Sequence, residues 1–493
     1  MRSRPRAAAT CSAVITVAAW FSACRGDAAP RTTDSSSAVL RIGVGPFSTT
    51  SAISGVRQVT QIVSVEGLAR LLQDGRVEPW LADRWTLSQD GRSLVVTLKS
   101  GATFHDGSPV DASAVVALIG DPLRNTMGPL ADDVENVSAI DAHSFEIRFK
   151  RPSPFLLEAL EVQVKKPGQG NVATGPFIVT PSSTMELHAN RGYYGGKPQI
   201  DDIRIQTFPS VRSAWAELLR DRIDMLYDVG SDALDSLQSA TNVAVFTYLR
   251  HYQYIVLLNA KMAALRDAAV RQALNVAVDR DELVRQALGD HAVPSSGVMW
   301  PTYWALPNGS RPLAFDPTRA ADVLNAKHVR FTCLVPPDEI FERIALDLKR
   351  QFAAVGVDVD FRTTVPDEIF KAEEKGTFEA ILIETISGPT LLRPYQVWHS
   401  KGASNFANLG NKSIDAAFDK ARFAENEADY RDAVRGVEQA FLDDPPAIFL
   451  AWGKRARAIS RRFDVPPAEP NRDILLTLPL WKPRNDNRFT DRN

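Results

Sequence analysis

The sequence predicts an α/β protein of two or three lobes, and three observations carry that reading. The chain has 493 residues, more than one hydrophobic core usually serves. Within residues 65–119, turn pairs recur at short intervals (Asp74-Gly75, Asp90-Gly91, Ser100-Gly101, Asp106-Gly107) around an apolar run, 94–98, rich in β-formers. This stretch predicts a strand-and-turn module closed by a helix. From Phe315 onward the pattern changes to alternating strand and helix units, which predicts a largely parallel sheet with crossover helices.

Composition and the N-terminus narrow the function classes. Lys and Arg number 57 against 59 Asp and Glu, a net charge of −2, so no basic excess points to nucleic acid. Arg2, Arg4 and Arg6 precede an apolar stretch over residues 7–23 that ends in Phe21-Ser22-Ala23-Cys24, the layout of a secretory signal. A small-residue site ending directly in Cys resembles a bacterial lipobox. Residues 1–24 therefore read as a lipoprotein-type signal peptide with Cys24 as the lipidation site, although Phe21 stands where Leu is usual. An ordinary signal peptide cleaved nearby, or an uncleaved anchor, is the alternative. Residues 25–39, rich in Ala, Pro, Thr and Ser, read as a flexible tether. The expected location is the periplasm or cell envelope, lipid-anchored to a membrane. No later stretch approaches the roughly 20 apolar residues that span a bilayer. Only Cys11, Cys24 and Cys333 are present, so with Cys24 acylated no disulfide is expected, and Cys333, in the apolar run 329–335, reads as a buried structural thiol.

Taken in order, residues 40–44 alternate as a strand and 45–51 form a polar loop. Asp111 is a good N-cap for a helix from Ala112 through Ile119, and residues 144–150 alternate cleanly as a strand. His105-Asp106 reads as a structural turn. Residues 168–170 form a Gly-rich linker, 203–208 a strand and 211–220 an amphipathic helix. Residues 252–259 form an apolar strand ending at Asn259. Residues 267–288 give two short helices, with Val270, Leu274 and Val278 and then Leu283 and Ala287 on their apolar faces. Their charged corner, Asp279-Arg280-Asp281, is expected to be capped and solvated. Residues 294–307 form a loop holding Trp300, Tyr303 and Trp304. Asp316-Pro317 opens a helix through Leu324, 329–335 is a strand, and 338–355 is a helix with Ile340, Ile344, Leu348 and Phe352 on one face, closed by Gly356. Residues 357–362 form a strand, 367–375 a helix closed by Gly376, and 378–383 a buried strand. Ligands collect at the carboxyl ends of strands in such sheets, which puts the loop 384–395 (ETISGPTLLRPY) at the mouth of a cleft. Residues 446–452 and 456–459 supply two further strands, and 475–481 is a last apolar run.

Several short motifs stand in one order: EGL at 66–68, P-x-L-A at 79–82, Trp85, Asp90-Gly91, FHDG-x-P at 104–109 and Val115-Val116. Thr174-Gly175-Pro176-Phe177, NRGYYGGKP at 190–198, Arg222-Ile223-Asp224, VRQALNVAVDRDEL at 270–283, Trp398-His399-Ser400, Asn405-Phe406 and Asp415 follow. Together they resemble the extracellular solute-binding proteins of the peptide and nickel class, the capture subunits of ABC importers, from about residue 40 to the C-terminus. Tyr194 stands where that family has Trp, and residues 150–174 are shorter than usual. The resemblance implies a three-lobed fold of the periplasmic binding protein type, two α/β lobes around a ligand cleft plus an extra α+β lobe. Lobe I would comprise 40–61, 172–250 and 458–493, lobe II 62–171, and lobe III 251–457. Such lobes close on a ligand as hinged rigid bodies. It further implies a peptide or peptide-like ligand, ABC permease partners, a monomer, and no cofactor.

Nothing in the residues argues for catalysis. The seven His show no metal-ligand spacing, no G-x-S-x-G is present, and residues 192–197 lack the spacing of a phosphate loop. No metal site is expected; an exported hydrolase or a sensor using the same cleft is the alternative reading. The ligand-binding candidates are Tyr254, Asn259, Trp300, Trp304, Glu384, Thr385, Ser387, Arg393, Trp398 and Asn405, with Tyr303 beside them, because aromatic faces give large contact area at small entropic cost. Peptide-binding relatives present an Asp just after the strand at 378–383, a natural partner for a buried ammonium. Here Thr385-Ile386-Ser387-Gly388-Pro389-Thr390 stands instead, with Glu384 the nearest acid and Arg393 the next strong charge. If Glu384 points into the sheet's edge or pairs with Arg393, the mouth is polar but neutral and suits a sugar or a capped peptide. A free Arg393 would favour an anionic group, and Glu384 taking over the role of the Asp would restore an ordinary peptide. An oligosaccharide or a nickel complex is the alternative ligand.

Overall fold

The computed structural model describes residues 38–46, 51–167, 172–180, 183–295, 297–306, 314–405 and 411–484. Cys24, the signal peptide, most of the tether and the linker at 168–170 lie outside them. Their backbone is organised by one eleven-stranded sheet. Two of its strands are long, Val243–Leu258 and Ala447–Ser460, and they pair antiparallel from Val243 opposite Ser460 to Leu257 opposite Ala447. On one side follow Met225–Leu226, Val39–Val44, Asp202–Thr207, Ser183–Ala189 and Phe177–Thr180; on the other lie Ala380–Ile386, Arg330–Val335 and Asp358–Thr363.

The long strands correct two expectations. The first begins nine residues before the expected 252, at Val243, and the separate strands at 446–452 and 456–459 are one. The stretch Lys454 to Arg457 carries three charges along the strand, and its guanidinium groups are paired in space. Arg457, 2% exposed, donates to Asp473 (2.8 Å) and Asp228 (3.1 Å) and lies over the rings of Tyr227 and Tyr248. Pairing removes most of the cost of burying the charge. The pairing is irregular between Leu249 and Gln253, so Arg250 to Tyr252 bulge from the ladder. The proposed lobe boundaries at 250/251 and 457/458 fall inside these two strands.

In the C-terminal half the strands Arg330–Val335, Asp358–Thr363 and Ala380–Ile386 are mutually parallel as expected, but Ala380–Ile386 is antiparallel to its other neighbour, so the sheet as a whole is mixed. The helix Glu339–Ala354 is capped by Asp338, whose side chain accepts from Ile340 N, and it buries Ile344, Leu348 and Phe352. Gly356 and Gly376 end their helices with φ of +77° and +63°, a conformation that costs a side chain little only when it is absent. Asp279 caps the helix Arg280–Leu288, but Arg280 is not solvated: it is 4% exposed and donates to the carbonyls of Phe449, Asn275 and Val278. Carbonyl oxygens take the place of water, and burial lowers its pKa only to about 10, so it stays charged. Cys333 is fully buried, which pushes its thiol pKa up.

Between residues 69 and 161 lies a separate four-stranded antiparallel sheet, in the order Ala82–Leu87, Ser93–Leu98, Ser144–Phe149, Val134–Ala139. Its helix starts at Ala112 under the Asp111 cap but continues to Met127, past Pro122. Proline inside a helix costs roughly 3 kcal/mol; burying Leu123 and Met127, each worth about 1.5–3 kcal/mol, offsets it. His105 is structural, its Nε2 3.0 Å from Gly175 O. Glu66 of the EGL motif accepts from both Tyr193 (2.7 Å) and Tyr194 (2.8 Å) of the later motif, which ties the two stretches together. The last apolar run forms a 3-10 helix, Ile474–Leu480, with Trp481 buried beyond it. No helix among the described residues is long and apolar enough to cross a membrane.

Candidate ligand-binding groove

The strand Ala380–Ile386 changes its surroundings along its length. One edge pairs with the long strand throughout, from Leu258 opposite Ala380 to Tyr252 opposite Ile386. The other edge pairs with Arg330–Val335 only at Ala380 and Ile381, because that neighbour ends. From Ile383 to Ile386 this edge therefore pairs with no strand among the described residues, and it offers backbone donors and acceptors to an extended ligand.

Three cavities follow this open edge. The first, about 160 Å³, lies between Ile383 and Glu384 and the residues Ile369, Phe370 and Glu373 of the helix Pro366–Lys375. The second, also about 160 Å³, is shared by Ile383, Thr385 and Ile386 with Trp398, Ser404 and Asn405. The third, about 320 Å³, runs from Ile386, Thr390, Arg393 and Gln396 to Thr126, Glu158, Glu161 and Gln163. Ile383 and Glu373 join the first to the second, and Ile386 joins the second to the third.

Glu384 and Arg393, two of the charges along this groove, are paired within the protein. Glu384 accepts from Arg250 at 2.7 Å and lies 3.9 Å from Arg455. Arg393 binds Glu161 at 3.0 Å. Of the alternatives weighed from sequence, the pairing of Glu384 with Arg393 is not formed: the bulge at Arg250 brings a nearer cation to Glu384, and the 3-10 turn Ala159–Glu161 brings an acid to Arg393. Glu158, fully buried, has its pKa pushed up to about 8 by desolvation even though it accepts from Leu392 N at 2.9 Å. At neutral pH it is mostly protonated and adds no charge. Burial also raises the pKa of Glu373.

Of the residues expected from sequence, the structure brings Glu384, Thr385, Arg393, Trp398 and Asn405 to this groove. Six others, counting Tyr303, are held elsewhere. Asn259 is 1% exposed and donates to the carbonyls of Phe378 (2.8 Å) and Gly376 (3.2 Å). Ser387 is buried and donates to Val298 O. Trp300 is buried edge-on to Trp452, with Nε1 donating to Gln73 O. Trp304 stacks on Tyr430 under Arg431, and Tyr303 shares a hydrogen bond with the Tyr430 hydroxyl. Tyr254 lines a different cavity. Sequence reasoning missed Glu158, Glu161, Gln163 and Ile386. The signal for the first three was weak: isolated polar residues in the apolar stretch 155–164, more than 200 positions from the strand they face.

An open strand edge beside cavities lined by apolar and polar groups defines a binding protein for a small solute, with no grouping of side chains among the described residues that could hold a metal ion. Comparison with known proteins agrees with that class. The family described as "Bacterial extracellular solute-binding proteins, family 5 Middle" matches residues 76–407, so the chain belongs to the family 5 extracellular solute-binding proteins, the substrate-binding, non-enzymatic components of ABC importers. The "Nickel-binding periplasmic protein" of Escherichia coli (strain K12) is 25% identical over 378 residues, 67% of this chain and 71% of that protein. The "Glutathione-binding protein GsiB" of the same organism is 25% identical over 280 residues, 52% of this chain and 54% of that protein, so the match spans about half its length. The oligopeptide-binding protein AppA from Bacillus subtilis, solved with a nonapeptide, shares the fold with a TM-score of 0.72 and 20% identity, covering 90% of this chain and 99% of its own.

Proposed function

We propose that the protein captures a peptide or peptide-like small solute outside the cytoplasmic membrane and delivers it to an ABC permease, and that recognition does not depend on a free amino terminus. The observation that supports this reading is the pairing of Glu384 with Arg250 beside the open strand edge. A ligand backbone laid along residues 383–386 would gain main-chain hydrogen bonds, and the three cavities would take its side chains. A ligand ammonium seeking Glu384 must instead compete with a guanidinium already 2.7 Å away. The AppA complex with a nonapeptide and the glutathione-binding relative favour a peptide-like ligand. We also propose that Cys24 carries a lipid anchor; detergent partition of Cys24→Ser should show loss from the membrane fraction, and full retention would refute the anchor.

The test of the ligand class is calorimetry with free-amine peptides against their N-acetylated forms, with oligosaccharides and nickel complexes as further arms. Acetylated peptides should bind as well as free ones. Submicromolar binding of free peptides that is lost on acetylation and in Glu384→Gln would overturn the reading.

A further inference from the structure

Glu158 ends the short helix Phe155–Glu158 and lines the third groove cavity, yet it is only 7% exposed. Among the described residues no basic group pairs with it. The cation of the same cavity, Arg393, donates instead to both carboxylate oxygens of Glu161, at 3.1 and 3.0 Å. The N–H groups of Leu391 and Leu392 and the Thr390 hydroxyl face the Glu158 carboxyl, with Leu392 N donating to Oε2 at 2.9 Å. The titratable groups that bear on it are Glu161, Tyr303 and Tyr430, and none of them supplies a positive charge. A carboxyl taken out of water without a cation holds its proton, and burial pushes the pKa of Glu158 up to about 8.

That proton decides what the cavity can bind. With Oε2 accepting from Leu392 N, the proton belongs on Oε1, and the neutral carboxyl and the Thr390 hydroxyl then hold two O–H groups between them. Whichever donates to the other, one O–H is left for a further acceptor. Thr126, also in the lining, donates its hydroxyl to Pro122 O at 2.9 Å, so toward the cavity its oxygen can only accept. Gln396 is committed at both ends of its amide, to Met127 O and Ala403 N, and Gln163 can serve either way. The lining thus offers an O–H donor and a hydroxyl acceptor, the complement of an amide. A charged group fits less well, because Arg393 and Glu161 already neutralise each other, and an ammonium or carboxylate would lose water without gaining an unpaired counter-charge. We propose that the third cavity takes an uncharged amide of the solute, with Glu158 and Thr390 together donating to its carbonyl oxygen and Thr126 accepting from its N–H; this rests on the reading of the groove as a site for a peptide-like solute and makes Glu158 a specificity-determining residue of it. Ionised, Glu158 accepts the Thr390 hydroxyl itself, and the pair has no proton left to give.

The test is calorimetry of the full chain with N-acetylated peptide amides that lack His, Cys, Lys and Tyr, so that the probe has no group titrating between about pH 6.5 and about pH 9.5. Such a peptide should bind about tenfold more weakly at the upper pH than at the lower, the effect of losing one buried donor. Binding near the upper pH should also take up a proton, read from the heats in two buffers of different ionisation enthalpy. Glu158→Gln, whose amide donates at every pH, should flatten the profile and abolish the uptake. Thr126→Val should weaken binding across the range while keeping the slope, and it decides the matter even if Glu158→Gln fails to fold. Melting curves at each pH separate these effects on recognition from the effect of Glu158 on stability. An affinity of the parent that does not change with pH, a fall of the same size in Glu158→Gln, or unweakened binding by Thr126→Val would each overturn this inference and leave the reading of the groove standing. Peptide amides that fail to bind at any pH would overturn both.

Discussion

Arg457 and Arg393 both sit in ion pairs that hold distant parts of the chain together, yet their surroundings differ. Arg457 is 2% exposed, bound by two carboxylates and covered by two Tyr rings. Arg393 is 22% exposed, has one partner in Glu161, and faces the largest of the three groove cavities. The first arrangement fills every direction from which a ligand could come and therefore acts as scaffold. The second leaves one face of the pair open, so a ligand can alter what the pair costs and gains. A charge that is both paired and walled in contributes to folding; one that is paired but facing a cavity contributes to selectivity.

The largest test of that comparison is Arg457→Met, which leaves the half-buried Asp228 and Asp473 without their cation. Breaking a buried pair in this way costs about 3–5 kcal/mol, to be read as a fall in the denaturant midpoint. A loss below about 1 kcal/mol, the range of surface pairs, would place Arg457 with Arg393 and collapse the distinction.

Glu158 comes next, and its effect depends on pH. Its folded pKa of about 8 lies above the ordinary carboxylate value in the unfolded chain. Between the two values the folded form holds a proton that the unfolded form has released, so stability falls as pH rises from about 4 to about 8 and levels off beyond. The span amounts to a few kcal/mol on that linkage. Glu158→Gln keeps an acceptor for Leu392 N and removes the titration. Melting curves across this pH range should show a shallower decline in the variant; identical slopes would mean that the carboxyl is ionised in the fold.

What the sequence made legible follows the same division. Caps, helix faces and glycine stops at Asp111, Asp316, Asp338, Gly356 and Gly376 are local, and the elements they announced are present. So is the carboxyl end of Ala380–Ile386 as the place where cavities gather. Partners are not local. Arg250 lies 134 positions from Glu384, and Glu161 lies 232 from Arg393, so the residue types alone suggested a pairing of neighbours that the fold replaces. The strand Ala447–Ser460 reads in sequence as two pieces, and the partners of its Arg457, Asp228 and Asp473, are likewise distant in sequence or on another element. Aromatic residues misled in the opposite sense. Trp300, Trp304 and Tyr254 have the chemistry of a binding surface, but their position decides, and it puts Trp300 in the core.

Asn259 separates scaffold from groove at a smaller scale. Its amide satisfies two carbonyls at the foot of the helix Pro366–Lys375, whose other face lines the first cavity. Asn259→Ala leaves those acceptors without a donor and should cost about 1–3 kcal/mol, measured by chemical denaturation. Ligand affinity below the unfolding transition should be unchanged, and a loss of affinity larger than the loss of stability would return Asn259 to the binding residues.

The smallest expected effect on stability is the most informative about selectivity. Glu161 is 37% exposed, so its pair with Arg393 is screened by water and salt, and Glu161→Gln should change stability by no more than about 1 kcal/mol. The substitution also releases a guanidinium toward a cavity whose other groups are neutral at pH 7, since Glu158 carries its proton there. Calorimetry with N-acetylated peptides ending in an amide or in a carboxylate should then show a shift toward the anionic form in the variant, larger at low salt than at high. A destabilisation matching that of Arg457→Met, with no change in ligand preference, would show that the pair belongs to the scaffold and that the open face of Arg393 has no part in choosing the solute.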